Sequence, residues 1–154
     1  MKIMVGLDPG KFGSVAFLRD HPTWKLVVVP TPVVGKEYDI PAMAKLFDKK
    51  VEYFVIVERA QTMPGQGSVS GGTFMMGYGI WLGILGALGI PYQIVHARVW
   101  TKVMLAGAPG EGKERAYNVA RRLFPEWQPK LKKEREYADA ILLAEYSRRI
   151  YQGK

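Results

Sequence analysis

The sequence predicts an α/β fold. One mixed five-stranded sheet, a three-strand antiparallel meander extended by two parallel strands, is flanked by helices. Two observations carry this. Short strand-like runs at 2–8, 14–19 and 24–30 follow one another with only turn-forming residues between them. After them, strand-like runs at 51–58 and 91–97 alternate with helix-like stretches, the pattern of parallel strands joined by crossovers.

Each element has its own signal. Residues 2–8 read as a buried strand ending in Asp8, and the small-residue turn with Pro9, Gly10 and Gly13 leads to 14–19. Asp20–His21–Pro22 marks the next turn, into 24–30. "DIPAMAKLFDK", 39–49, predicts a short helix with Asp39 as N-cap. "VEYFVIVE", 51–58, is β-branched and aromatic and ends in Glu58. Residues 61–73 predict a glycine-rich loop, and 74–88 an apolar helix before the fifth strand, "PYQIVHA". A basic helix over 112–124 stops at Pro125, and a last helix spans about 134–151. The first and fourth strands are expected to be parallel neighbours. Without repeats or a long linker, 1–154 reads as a single domain.

Composition narrows the chemistry. There is no cysteine, which excludes disulfides and thiolate metal sites, and His21 and His96 lie too far apart to suggest a histidine-rich zinc site. The net charge of +8 is uneven: 98–154 carries 13 Lys/Arg against 7 Asp/Glu, while 1–97 carries 9 against 7. A basic half suggests a polyanion, nucleic acid first. "MKIMVGLDPG" is interrupted too early for a signal peptide. "FMMGYGIWLGILGALGI", 17 residues from Phe74 to Ile90, lies in an uncharged stretch but falls short of the roughly 20 residues of a membrane span, so it reads as a buried helix with no membrane partner.

The carboxylates are the informative feature. Asp8 and Glu58 close two strands expected to be adjacent, and neighbouring strands lie about 4.8 Å apart. Their carboxylates could share a cation there. Glu136 and Asp139, at i and i+3, share a helix face. Each acid has an ordinary reading: Asp8 as a turn former, Glu58 in an ion pair with Arg59 or Lys11, the helix acids as partners of the N-terminal dipole. Asp139 fits that reading poorly, because it sits inside the apolar "YADAILLA" and a buried carboxylate needs a partner or a metal. Together, four acids from three separated segments would repel one another without cations. Two Mg²⁺ ions about 4 Å apart between carboxylates is the usual arrangement for in-line phosphodiester hydrolysis.

"GLDPG" on the first strand, "VIVE" on the fourth and "EYADAILLAEY" on the last helix, in that order, resemble the RuvC-type Holliday junction resolvases of the ribonuclease H-like superfamily. The middle of the chain is similar to their phage and organellar branch. The resemblance covers nearly the whole chain. It implies a ribonuclease H-like fold and a homodimeric, Mg²⁺-dependent endonuclease for four-way DNA junctions, with Mn²⁺ able to substitute. It implies Asp8, Glu58, Glu136 and Asp139 as catalytic metal ligands, and a cytoplasmic setting, in a bacterial or phage-infected cell, or an organelle. In the phage and organellar branch the extra acid can lie five residues before the last, which is Glu134 here. Glu134 and Glu136 differ by about 200° on a helix, so both cannot face the metals if a helix is formed there; Glu136 is favoured.

For DNA, Lys102, Lys113, Arg115, Arg121, Arg122, Lys130, Lys132 and Lys133 are the expected phosphate contacts, with Lys132 and Lys133 foremost. Phe74 and Tyr78 could stack on an unpaired base, or belong to the core. Gly79, Gly83 and Gly86 fall at i, i+4 and i+7. Glycine in a helix costs about 1 kcal/mol against alanine, so something must approach closely: a partner helix in a dimer, or the protein's own sheet. Rival readings are a broader flap or fork nuclease, an ATP-binding actin-like phosphotransferase using "GLDPGKFGS", and a non-catalytic junction binder. Actin-like kinases carry two copies of such a fold, and 154 residues hold one.

Overall fold

Strands β1 (Lys2–Asp8), β2 (Ser14–Arg19), β3 (Lys25–Pro30), β6 (Glu52–Glu58) and β7 (Tyr92–Val95) form one sheet in the order β3-β2-β1-β6-β7. The computed structural model describes residues 2–19, 22, 24–61 and 64–153. Of the predicted Asp20–His21–Pro22 turn, only Pro22 is among them; Thr62 and Met63 of the predicted glycine-rich loop also lie outside the described residues. β1 pairs antiparallel with β2, and β2 with β3, which is the predicted meander. β1 and β6 run parallel with Leu7 opposite Val57, so Asp8 and Glu58 are the next position on each strand. β7 runs parallel to β6 on the other side.

Side chains alternate across the sheet, and each face is covered. Met4, Ala16, Leu18 and Ile56 face α3 (Ala97–Met104), α4 (Gly112–Leu123) and α5 (Ala138–Tyr151). Val5, Leu7, Val15, Phe17, Val55 and Val57 face α1 (Ile40–Lys45) and α2 (Ser68–Leu88). Asp8 and Glu58 have the parity of Met4 and Ile56, so both belong to the α5 side. Full burial of each Leu, Ile or Val is worth roughly 1.5–3 kcal/mol.

α5 lies directly on β1 because of one missing side chain. A Cβ at Gly6 would collide with the backbone of Ala140 and Ala144. Ser147 Oγ adds a 2.8 Å bond to the Phe54 carbonyl, tying the helix to β6. This close seating sets Asp139, in the first turn of α5, near the strand ends.

Several boundaries differ from expectation. A two-stranded hairpin, β4 (Val33–Val34) with β5 (Glu37–Tyr38), precedes α1. α1 is shorter than 39–49, though Asp39 caps it as predicted, accepting from Ala42 N at 3.0 Å. α2 begins at Ser68, so half of the expected loop is helix; tertiary packing outweighs glycine's poor propensity, since Tyr38 donates to the Thr73 carbonyl at 2.8 Å and leaves no room for a Cβ at Gly77. α2 is long and apolar enough to cross a membrane by length and composition. It is not buried all round as expected: Trp81, Ile84 and Leu85 pack on the sheet, while Met75, Met76 and Val69 are exposed. α3 was not anticipated.

The last helix also starts later than about 134. Lys132–Tyr137 is a 3₁₀ helix, and α5 follows from Ala138. Local contacts accompany the tighter turn. Glu134 accepts from the backbone N–H groups of Lys130 at 2.6 Å and Leu131 at 2.9 Å, while its own N–H donates to the Leu131 carbonyl at 3.0 Å, an i to i+3 bond.

Candidate active site

The site is built at the C-terminal ends of β1 and β6, where both strands stop on a carboxylate. Past Asp8 the chain reverses in a turn closed by Gly13 N–H to the Gly10 carbonyl at 3.2 Å. Gly10 has a φ of 116°, and a Cβ at Gly13 would strike the Asp8 carbonyl, so this turn requires both glycines. A groove of about 570 Å³ opens there, lined by Asp8, the turn, Thr73 and Phe74 of α2, Lys113 of α4, Glu136 and Asp139.

The charges are unbalanced. Asp8 is held well above the usual carboxylate range, first by burial and then by the charges of Asp139 and Glu58, with Lys113 pulling the other way. Asp139 is pushed up to about 6 by burial, against the pull of Lys113. Glu58 is also pushed up to about 6 by burial, although the Trp100 indole N–H, 2.6 Å from its Oε2, lowers it. Among these three partly buried carboxylates, Asp139 and Glu58 thus raise the pKa of Asp8 and Asp139 raises that of Glu58, with Lys113 offsetting Asp8 and Asp139 and the Trp100 N–H offsetting Glu58. Burial disfavours charge on Lys113, but its bond to Glu136 and the fields of Asp139 and Asp8 outweigh that and hold its pKa up. Lys113 Nζ lies 3.0 Å from Glu136 Oε1 at the rim.

Among the described residues, no three Asp, Glu, His or Cys side chains converge tightly enough to cage an ion by themselves. The donor set nonetheless fits Mg²⁺ in kind. All donors are hard carboxylate oxygens, their mutual repulsion asks for positive charge, and Mg²⁺ is usually held by one or two carboxylates with waters and substrate phosphate completing its shell.

The expected residues separate into distinct places. Asp8, Glu136, Asp139 and Lys113 share the groove; Glu58 stands beside it, within the field of Asp8 and Asp139, bonded to Trp100. Glu134 caps its own turn instead, and those two backbone bonds hold its pKa down. Lys132 and Lys133 are exposed and line a second hollow of about 460 Å³ that shares Lys113 and Glu136 with the groove. Lys102 borders a different hollow, with Arg98 and Arg115. Arg122 and Lys130 are exposed.

Two expected phosphate contacts are engaged inside the protein. Arg115 donates to the Leu105 carbonyl, and Arg121 donates to the carbonyls of Pro125, at 3.0 Å, and Trp127, holding the loop after α4. Phe74 lines the groove, whereas Tyr78 packs against the α1–α2 core. Among the described residues, and apart from the helix's own neighbouring backbone, a Cβ at Gly79, Gly83 or Gly86 would have nothing within 4 Å. The sheet therefore does not explain the stripe.

Two residues at the site escaped the sequence reading. Trp100 is 1% exposed and belongs to α3; Val99, Trp100, Val103 and Met104 have helical spacing that could have revealed that helix. Phe12 stands in the turn beside Asp8, an aromatic flanked by Gly10 and Gly13.

Comparison with known proteins agrees with this architecture. No family model matches the chain. The chloroplastic Holliday junction resolvase MOC1 of Chlamydomonas reinhardtii is 33% identical over 102 residues, which is 64% of this chain; the chain spans only 11% of that relative's length. Thermus thermophilus RuvC superposes with a TM-score of 0.58 at 20% identity, covering 98% of this chain and 96% of RuvC. T. thermophilus RuvC in complex with a Holliday junction substrate gives 0.64 at 19% identity, covering 99% and 97%. The chain has the ribonuclease H-like fold of RuvC over nearly its whole length.

Proposed function

We propose that the chain is a divalent-metal-dependent endonuclease that resolves four-way DNA junctions. One observation carries the reading: Asp8 at the end of β1 and Asp139 at the start of α5 line one groove with Glu136 and Lys113, Glu58 at the end of β6 stands beside it, and the adjoining hollow is lysine-rich. Acids without a cation would only repel DNA, so a non-catalytic binder is a poor fit.

Asp8, Glu58, Asp139 and Glu136 are the residues that would hold Mg²⁺, with Mn²⁺ as substitute. Bound there, the metal would activate water for in-line attack and stabilise the leaving 3′-oxygen. The residues supply the rest. Lys113 bridges the acid groove and the basic hollow, and Lys132 and Lys133 extend positive charge along the path a phosphate backbone would take. Trp100 restrains Glu58. The products expected of such chemistry are 5′-phosphate and 3′-hydroxyl ends.

A dimer belongs to the same reading. The open glycine stripe and the exposed Met75 and Met76 leave one side of α2 apolar and uncovered. A second copy packing there would explain three costly glycines.

The test is to incubate the protein with labelled four-way junction, fork and linear duplex, with and without Mg²⁺. Metal-dependent, symmetric cutting of the junction is expected, with the duplex left intact. Comparable cutting of the fork would broaden the reading to branched DNA. Asp8→Asn should bind the junction and fail to cut it, with residual activity below a few per cent.

A further inference from the structure

We propose that Phe12 is a stacking platform for one unstacked nucleobase at the branch point, and so helps the protein distinguish branched DNA from duplex. The inference rests on the reading that this chain cuts branched DNA, and it adds a residue that reads the branch.

At 86% exposure, Phe12 is the most exposed large apolar side chain among the described residues. Isolated surface aromatics are common and need no explanation. This one differs in its setting. It is the third residue of the four-residue turn closed by Gly13 N–H and the Gly10 carbonyl, directly after the strand end that carries Asp8. It lines the same groove as Asp8, Lys113, Glu136 and Asp139.

The turn is restrained on several sides. The Phe74 ring lies against Gly10, where a Cβ would come within 2.9 Å of it. Gly13 is packed on the Asp8 carbonyl, and its own carbonyl accepts from Thr31 N at 3.0 Å. Lys11 donates to the Lys36 carbonyl and lies 5.7 Å over the Tyr38 ring, which ties the turn to the β4–β5 hairpin. A ring presented on a restrained turn loses little freedom on binding.

The neighbouring chemistry selects the occupant. A phosphate seated at the carboxylates brings its own nucleoside within reach of the adjoining turn. Bases within a duplex already stack on one another; at a branch point a base can leave the stack and offer its face. Stacking on an aromatic ring tolerates any base, so the contact reads structure and not sequence. Phe74 is less suited, because its ring already packs on Gly10.

The test measures affinity in Ca²⁺ for a four-way junction and a linear duplex of equal length, using wild type, Phe12→Ala and Phe12→Trp. Each branch-point nucleotide is also replaced in turn by an abasic residue. Phe12→Ala should weaken junction binding about tenfold, about 1.4 kcal/mol, and leave duplex binding within about twofold; Phe12→Trp should retain junction affinity. One abasic position should weaken wild type similarly and add nothing to Phe12→Ala, the signature of a direct pair. The proposal is overturned if Phe12→Ala binds the junction within about twofold of wild type, or loses duplex and junction equally, or if Phe12→Trp is as weak as alanine, or if every abasic loss is additive. Wild type that binds junction no better than duplex overturns the functional reading, and this proposal with it. A retained preference in an unaltered Phe12→Ala overturns the role of Phe12 alone.

Discussion

The indole Nε1 of Trp100 donates a 2.6 Å hydrogen bond to Glu58 Oε2. A buried indole N–H needs an acceptor, and a partly buried carboxylate needs a donor; each satisfies the other. The bond also favours the ionised form of Glu58 against the burial that pushes it up to about 6. Hydrogen bonds to charged groups are worth about 1.5–3 kcal/mol. Trp100→Phe should therefore raise the Glu58 pKa further and move the acid limb of the pH–rate profile to higher pH. Turnover should fall about tenfold or more at pH 6 and less at pH 8, as read in single-turnover assays. A profile that merely scales down at all pH values would mean that Trp100 acts by packing alone.

The raised carboxylates also predict how stability responds to pH. Asp139 ionises near 3.8 when unexposed to these neighbours and near 6 when folded. Between those values the folded chain binds the extra proton, so this contribution to stability is lost as pH rises from about 4 through 6. Glu58, moved from 4.5 to about 6, has the same sign, and so does the upward shift of Asp8. Glu145, held down by Arg148 and Arg149 despite its burial, has the opposite sign and masks part of the trend. The difference in Tm between Asp139→Asn and wild type should therefore grow in favour of the variant from pH 4.5 to 7. Mg²⁺ should raise the wild-type Tm at pH 7.5 and do little at pH 4.5.

Glu136 and Glu134 have different tasks in this structure, and substitution should separate them. Glu136 stands at the rim with Lys113, 3.0 Å away, while Glu134 accepts two backbone N–H bonds that a glutamine can still accept. Glu136→Gln should lower turnover at least tenfold, about 1.4 kcal/mol of transition-state stabilisation. Glu134→Gln should change it little, whereas Glu134→Ala, which removes the acceptor, should loosen the 3₁₀ turn and reduce activity indirectly. Junction affinity in Ca²⁺ should be unchanged or slightly tighter in Glu136→Gln, since it removes negative charge near phosphate.

The glycine stripe makes a prediction about assembly. Among the described residues, nothing beyond the helix's own neighbouring backbone lies within 4 Å of a Cβ at Gly83, so Gly83→Leu is accommodated by the monomer fold. It would overfill a close contact with a second copy. Sedimentation should show a dimer for wild type and a monomer for Gly83→Leu, with unchanged circular dichroism. A variant that remains dimeric would move the interface elsewhere.

Strand order and the adjacency of the strand ends that carry Asp8 and Glu58 were legible in the sequence because apolar runs ending in acids, followed by turn residues, are local signals. The meander and the β1–β6 neighbourhood follow from such patterns and from the right-handed crossover rule. The unusual burial of Asp139 was also legible, from the apolar residues on either side of it. Helix boundaries were not. Residues 68–73 look like loop by propensity, yet they are helix, with Tyr38 bonded to the Thr73 carbonyl; Lys132–Tyr137 looks like α-helix, yet it is 3₁₀, capped by the Glu134 carboxylate.

What only the tertiary structure decided is where each charge and ring ends. Arg115 and Arg121 look like any other basic residues in the chain, but backbone carbonyls brought near by folding hold their guanidinium groups. Trp100 and Glu58 are 42 residues apart, and only the packing of α3 beside β6 makes them partners. The open glycine stripe and the exposed Phe12 are likewise invisible in one dimension. Periodicity tells which side chains alternate or share a face; contacts between elements distant in sequence decide what covers that face.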